Sequence, residues 1–297
     1  MVKLGDASIA SPFTSKMPSI KAALDIVRQG RCTLLTTIQM YTILALNCLI
    51  SAYSLSVLYL DGIKYGDKQM TATGILMSIS FITISQAKSL PQLSSVRPLT
   101  SVFHPAMFCS LVGQFCVHLS TMIYAHSMAK PLMPTDFQVD LREYDEEGNN
   151  TFKPSILNTV IFYMSTMQQV CVFAVNYKGR PFMQGLTENT PLLYSLGLCA
   201  TLAVACATEL FPRFNAYLQL EPLPDAEFRN TILGLLVLTH THTHTHTHIH
   251  ISFSLTHPPT HSLIHSLTHS LTHSLTHSLT HSLLTQSRCV CPIRRWT

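Results

Sequence analysis

CTLLTTIQMYTILALNCLISAYSLSVLYL, residues 32–60, runs for twenty-nine positions without an Asp, Glu, Lys or Arg. As a helix rising about 1.5 Å per residue it reaches roughly 43 Å, against about 30 Å of bilayer hydrocarbon. The stretch is therefore a membrane-spanning helix with length to spare for tilt or for projection beyond the lipid. Its polar residues return at helical spacing: Thr36, Gln39, Asn47, Ser51 and Ser54 form a stripe on one side. An unsatisfied amide in hydrocarbon costs several kcal/mol, so the stripe is expected to face other helices or a wet cavity. Two readings stay open, hydrogen bonding between helices and the lining of a transport path.

Working outward, the composition agrees with a membrane protein. Of 297 residues, 47% are hydrophobic and 11% charged, whereas a soluble domain carries about 25% charge. The formal net charge of +4 is spread along the chain and points to no nucleic-acid partner. The nine cysteines fall mostly inside apolar runs, with no dense disulfide pattern and no zinc-finger spacing. Cys109 with Cys116, and Cys199 with Cys206, are each seven apart, share a helix face and read as packing.

Before this span, residues 19–29 place Ile20, Ala23, Leu24 and Val27 at helical spacing with charge opposite. They are expected to run on into the first span as a cytoplasmic stalk, with Gly30 offering a point to bend. Further uncharged or nearly uncharged runs follow at 69–87, 99–129, 154–177 and 189–208, and a sixth starts at 230–238 and does not finish. The fold class is thus all-α, a polytopic membrane bundle of five complete spans and a truncated sixth. Arg28 and Arg31 at the edge of the first span put the N-terminal side in the cytosol. The 130–153 loop, with six acids and three basic residues, then lies on the luminal side. That loop carries Asn149-Asn150-Thr151, a glycosylation acceptor pattern at Asn149.

The last fifth of the chain reads differently. Residues 239–248 alternate Thr and His, and Thr-His-Ser-Leu repeats in tandem from Thr268 to Leu283. In one frame the DNA repeats (AC)n and (ACTC)n encode these units, which accounts for the repeats without a function. Residues 239–297 are expected to be a disordered, low-complexity tail from read-through into non-coding DNA. The rival reading is a His-rich metal-binding arm, since thirteen of the sixteen histidines lie there.

No Gly-rich phosphate loop, nucleophile elbow or pair of acids within a span is present, so no catalytic, cofactor-binding or metal-ligating residue is assigned. His118, alone in mid-helix, is expected to hydrogen-bond a neighbouring helix. The fourth span adds Asn158, Ser165, Thr166, Gln168, Gln169 and Asn176, and the second adds Thr71, Thr73, Ser78 and Ser80. Neutral amides and hydroxyls make a poor site for hard cations, which want several oxygen ligands including carboxylates. The candidates for a substrate path are Thr36, Gln39, Asn47, Ser51, Ser54, Gln168 and Gln169.

GDASIASPFTSK at 5–16, IVRQGRCTLLTTIQMYTILALNCLISAYSLSVLYLDG at 26–62, Arg97-Pro98-Leu99 and NYKGRPFM at 176–183 carry a family likeness. Over residues 3–238 the chain resembles the C-terminal part of the type-five A P-type ATPases. These are the endoplasmic-reticulum transmembrane-helix translocases, formerly regarded as manganese or cation transporters. The resemblance implies that residues 1–18 are a remnant of the phosphorylation domain, that 19–238 form the membrane domain, and that the spans are the fifth to ninth of ten. It implies a multi-pass protein of the endoplasmic-reticulum membrane, with the lipid bilayer and transmembrane-helix polypeptides as partners. The full-length family uses ATP and Mg2+, yet the DKTGT, TGE and GDGxND motifs are missing here. Many members also carry Lys where this chain has Thr42. The chain is accordingly expected to be the transport portion of such an enzyme, inactive alone. The alternatives are a non-catalytic membrane protein or partner of a full-length pump, and a cation or His-rich metal transporter.

Overall fold

The computed structural model describes residues 19–95, 98, 105–134, 152–239 and 241, all within a single unit of the fold. The elements are α1 (Lys21–Leu60), α2 (Asp67–Ser85), α3 (Pro105–Ala129, followed by a 3-10 turn, Lys130–Leu132), α4 (Ile156–Asn176), α5 (Thr190–Ala207), α6 (Pro212–Tyr217) and α7 (226–239). Among the described residues there is no strand, only one isolated bridge. Every long helix lies where an uncharged run predicts one. The stalk and first span form one uninterrupted helix through Gly30. The sixth segment starts at 226, a turn earlier than expected, and no apolar periodicity announces the short α6. Residues 1–18, His104, Asn149 and the repeats beyond 241 lie outside the described residues.

Among the described residues, four helices are long and apolar enough to cross a membrane: Lys21–Leu60, Met107–Leu132, Ile156–Asn176 and Thr190–Ala207. The second predicted span, α2, is a helix of 19 residues that does not reach that apolarity.

The bundle is built round α4 rather than α1. Almost every side chain of α4 is buried, from Leu157 to Asn176, against α1, α2, α3 and α5. Ser155 starts this helix, its hydroxyl accepting from the Asn158 N–H at 3.1 Å. Asn189 plays the same part for α5, accepting from the Leu192 N–H at 3.5 Å. Buried amides then fix how the helices sit on one another. Gln114 of α3 donates to Asn176 Oδ1 at 3.1 Å, and Asn176 donates back to Gln114 Oε1 at 2.8 Å. Gln168 of α4 donates to the His118 carbonyl and to Thr121 Oγ1, both at 2.9 Å. Tyr163 donates to the Cys206 carbonyl of α5 at 3.1 Å, and Phe81 of α2 meets Phe173 edge-on with ring centroids 5.0 Å apart. Cys199 and Cys206 are both buried free thiols, as packing requires.

The two ends are closed differently. At one end the chain after α2 pairs with the α4–α5 loop: Gln184 N–H donates to the Lys88 carbonyl at 3.0 Å and Leu90 N–H to the Phe182 carbonyl at 3.3 Å. Together these segments form a collar round α1. At the far end Asp61, just past α1, joins the end of α3. Lys130 Nζ donates to Asp61 Oδ1 at 2.7 Å, and His126 Nε2 lies 2.5 Å from Oδ2. Burial raises the Asp61 carboxyl, but the hydrogen bonds and charges of His126 and Lys130 outweigh it and hold the group below the usual carboxylate range. Three helices end in the same left-handed turn, at Gly62 (φ 70°), Glu209 (φ 58°) and Gln219 (φ 55°). For Glu209 and Gln219 this costs about 1 kcal/mol each, offset in part by contacts made there. Glu209 Oε1 accepts from Leu223 N–H at 3.2 Å, and the Gln219 carbonyl accepts from Gln69 at 3.4 Å.

Two exposed tyrosines on α1 are spaced as a crossing of the hydrocarbon requires. Tyr41 is 58% and Tyr59 69% exposed. Their separation of about 27 Å along a helix matches the hydrocarbon thickness, with aromatic rings at both interfaces. The part of the predicted span before Tyr41 is covered by the collar instead, where Cys32, Thr36, Ile38 and Gln39 are buried.

The reciprocal amide pair gives a direct test of this packing. Replacing Gln114 by Leu leaves Asn176 Oδ1 without its donor, while Asn176 Nδ2 keeps the Val172 carbonyl at 2.9 Å, and is expected to cost about 1–3 kcal/mol of thermal stability in detergent. Replacing both residues by Leu should cost less than the two single changes added together.

Candidate functional site

The polar stripe of α1 is turned inward along its length, but its members serve three different places. Thr36 and Gln39 belong to the collar. Thr36 Oγ1 donates to the Cys32 carbonyl at 2.9 Å and sits 3.4 Å from Met183 Sδ, while Gln39 Nε2 donates to the Lys178 carbonyl at 2.7 Å. Asn47, 1% exposed, lies one turn beyond Thr42 and Ile43 with its Nδ2 3.4 Å from Met77 Sδ of α2. Thr42 itself is buried and bonds back to the Ile38 carbonyl at 3.0 Å. Ser51 and Ser54 open onto a cavity, and there Gln169 of α4 reaches Ser51 Oγ at 3.4 Å.

This cavity, about 310 Å³, lies between α1, α2 and α4 on the far-end side of Asn47. Ser51, Ser54, Tyr65, Thr73, Ser165 and Gln169 supply its polar wall, and Leu55, Met70, Gly74 and Met77 its apolar wall. Among the described residues no carboxylate, ammonium or guanidinium lines it. Tyr65 Oη lies 3.4 Å from Ser165 Oγ, and the Ser54 hydroxyl donates to the Ile50 carbonyl at 2.8 Å. Such a wall offers hydroxyl and amide partners on a soft thioether background, without a fixed charge.

Of the seven predicted path residues, Ser51, Ser54 and Gln169 meet in the cavity. Thr36, Gln39 and Gln168 hold the bundle together, and Asn47 stands between the two groups. Nothing in the sequence pattern signals Tyr65, which lies in the turn after α1, or the cavity methionines, which read as ordinary apolar residues. His118 is buried, but neither ring nitrogen has a partner among the described residues; its backbone carbonyl makes the contact to α4 instead. No group of three metal-ligating side chains exists among the described residues.

The face of α2 beside the cavity is open. Only Gln69, Ser80 and Ile84 of this helix are buried, while Thr71, Gly74, Ile75, Ser78, Ile79, Ile82 and Ser85 are exposed.

The collar depends on a glycine. A Cβ on Gly179 would lie 1.9 Å from the Gln184 carbonyl oxygen, whereas a Cβ on Gly74 would meet nothing within 4 Å.

No family model matches the chain. Over 239 residues, 80% of its length, it is 46% identical to the endoplasmic reticulum transmembrane helix translocase spfA of Aspergillus fumigatus. Over 219 residues, 74% of its length, it is 49% identical to the endoplasmic reticulum transmembrane helix translocase of Schizosaccharomyces pombe. Over 224 residues, 75% of its length, it is 48% identical to the probable manganese-transporting ATPase PDR2 of Arabidopsis thaliana. The chain spans 18% of the length of each of these relatives.

The two glycines are expected to respond in opposite directions. Gly179→Ala should lower unfolding stability by about 2 kcal/mol or more. Gly74→Ala, free of contacts in a helix interior, should be neutral or gain up to about 1 kcal/mol, both read by thermal unfolding in detergent.

Proposed function

Because the chain belongs to the family of endoplasmic reticulum transmembrane helix translocases and related P-type transport ATPases, we propose that its bundle forms part of the wall along which such an enzyme moves a hydrophobic helix. The protein is a multi-pass component of the endoplasmic-reticulum membrane, with the collar on the cytosolic side and the Asp61 end toward the lumen. The observation that carries the reading is the neutral cavity of α1, α2 and α4, continuous with a face of α2 that shows hydroxyls and Gly74 to the outside.

A helix leaving a bilayer brings apolar side chains and the occasional Ser, Thr, Asn or Gln. Methionine adapts its shape to varied apolar partners, and the Ser51, Thr73 and Gln169 groups can replace lost hydrogen bonds without demanding a charge. A manganese or other divalent cation wants carboxylate oxygens, and none of the described residues lining the cavity supplies one. That favours a polypeptide cargo over a metal ion.

The chain spans 18% of the length of its relatives, and in this reading the nucleotide chemistry falls to the rest of a full-length protein. The chain by itself is inert toward ATP in this reading. The N-terminal turns of α1 stand clear of the bundle, with Ile20 86% exposed, as befits a stalk that meets a further domain.

In an intact translocase built with this stretch, a photo-crosslinking side chain at Ser51 or Thr73 should capture a transmembrane-helix cargo, and one at Gln168 should not. Equal capture at all three positions would count against the cavity as the path. Incubated alone with labelled ATP, the chain should form no hydroxylamine-sensitive phosphoenzyme; such a label would overturn the view that it is inert.

A further inference from the structure

Among the described residues, the collar segments and the α1 residue bonded to them carry four basic residues, Arg31, Lys88, Lys178 and Arg180, and the single acid Glu188. Glu188 is already engaged: Arg180 donates to its Oε1 at 2.5 Å and the Gly185 N–H to its Oε2 at 2.9 Å. Arg31 is directed to the Ser94 carbonyl at 2.5 Å. Lys178 is different. It is half-buried, its backbone is locked by Gln39 on one side and by the Gly179 turn on the other, and its ammonium meets no carboxylate among the described residues. Lys88 lies in the segment paired to the same loop through Gln184.

Depth matters as much as charge. The Lys178 carbonyl is held by Gln39, two positions before the exposed Tyr41 that marks the lipid boundary. The collar therefore sits at the level of the lipid headgroups, beside exposed Leu193 and Tyr194 at the start of α5. We propose that Lys178, assisted by Lys88, binds the phosphate of an anionic phospholipid whose acyl chains lie along the outer face of α5. A half-buried cation without a counter-charge is costly, and a headgroup phosphate at this depth removes the cost with a charge-assisted hydrogen bond. Burial alone pushes the Lys178 ammonium down to about 8, which agrees with the lack of a nearby carboxylate.

The test uses the full chain, purified in detergent and stripped of lipid, then offered phosphatidylinositol, phosphatidylcholine or inorganic phosphate. Phosphatidylinositol should be retained in native mass spectrometry and should raise the melting temperature, while phosphatidylcholine and inorganic phosphate should do neither. Lys178→Gln should weaken retention about tenfold and Lys88→Gln about fivefold, with Lys178→Arg close to wild type. If Lys178→Gln fails to fold, the wild-type protein still decides: retention should fall as the pH rises from about 7 to about 9. Unchanged retention in Lys178→Gln or across that pH range would overturn the proposal. So would equal protection by phosphatidylcholine (an apolar annulus) or by inorganic phosphate (a free-anion site).

Discussion

Hydrocarbon offers a polar group nothing to bind, and that constraint shapes this bundle more than apolar attraction does. Lipid tails and leucine side chains are equally apolar, so packing two apolar faces gains little over leaving each in lipid. What distinguishes one arrangement from another is where the amides go. Gln114 and Asn176 satisfy each other across α3 and α4, Gln168 reaches the α3 backbone, and Gln39 reaches the loop after α4. Gln69 of α2 reaches the Leu218 carbonyl at 3.1 Å, and Asn215 reaches that of Cys206 at 2.9 Å. Each such bond contributes about 1 kcal/mol, but a shifted register would strand several at once. The amides thus specify the fold while adding modestly to its stability.

Much of this is legible in the sequence, for a simple reason. The length of an uncharged run and the thickness of a bilayer are both fixed, so the positions of α1 to α5 follow within a few residues. Helical spacing also turns the polar residues away from lipid, and Asn47 and Gln168 are each 1% exposed. Periodicity gives the face on which a residue lies but not the neighbour it meets. Thr36 and Ser51 share a stripe, yet one meets a loop methionine and the other a cavity. The same limit hides the central role of α4, because a helix surrounded by apolar helices and one surrounded by lipid can have the same composition. Tyr65 lies in a turn, where no period operates, and α6 is too short for a period to show.

The two closures of the bundle differ in kind, and the difference follows from their surroundings. The collar is made of backbone pairing and an obligatory glycine, features that hold one geometry and resist partial change. The far end rests on one carboxylate shared by His126 and Lys130, partly open to water. Exposed ion pairs of this sort are screened and contribute little each, so the ends of α1 and α3 are tied there without being locked.

Of the long helices, α2 is the one least committed to the bundle. It buries three residues where α4 buries nearly all of its own, and few buried contacts mean low local stability. Its outward hydroxyls bond back to the helix itself, Thr71 to the Asp67 carbonyl at 2.8 Å and Ser78 to that of Gly74 at 2.9 Å. A hydroxyl satisfied by its own helix is tolerable in lipid, in water or against another polypeptide, and so does not bind α2 to one environment. It is tied to the α6 turn by Gln69, to Asn47 of α1 by Met77, to Phe173 of α4 by Phe81, and to Ser195 of α5 and Asn189 before it by Thr83. Displacing the middle of α2 would widen the cavity at Thr73 and Met77 while leaving the amide contacts of α3 and α4 intact.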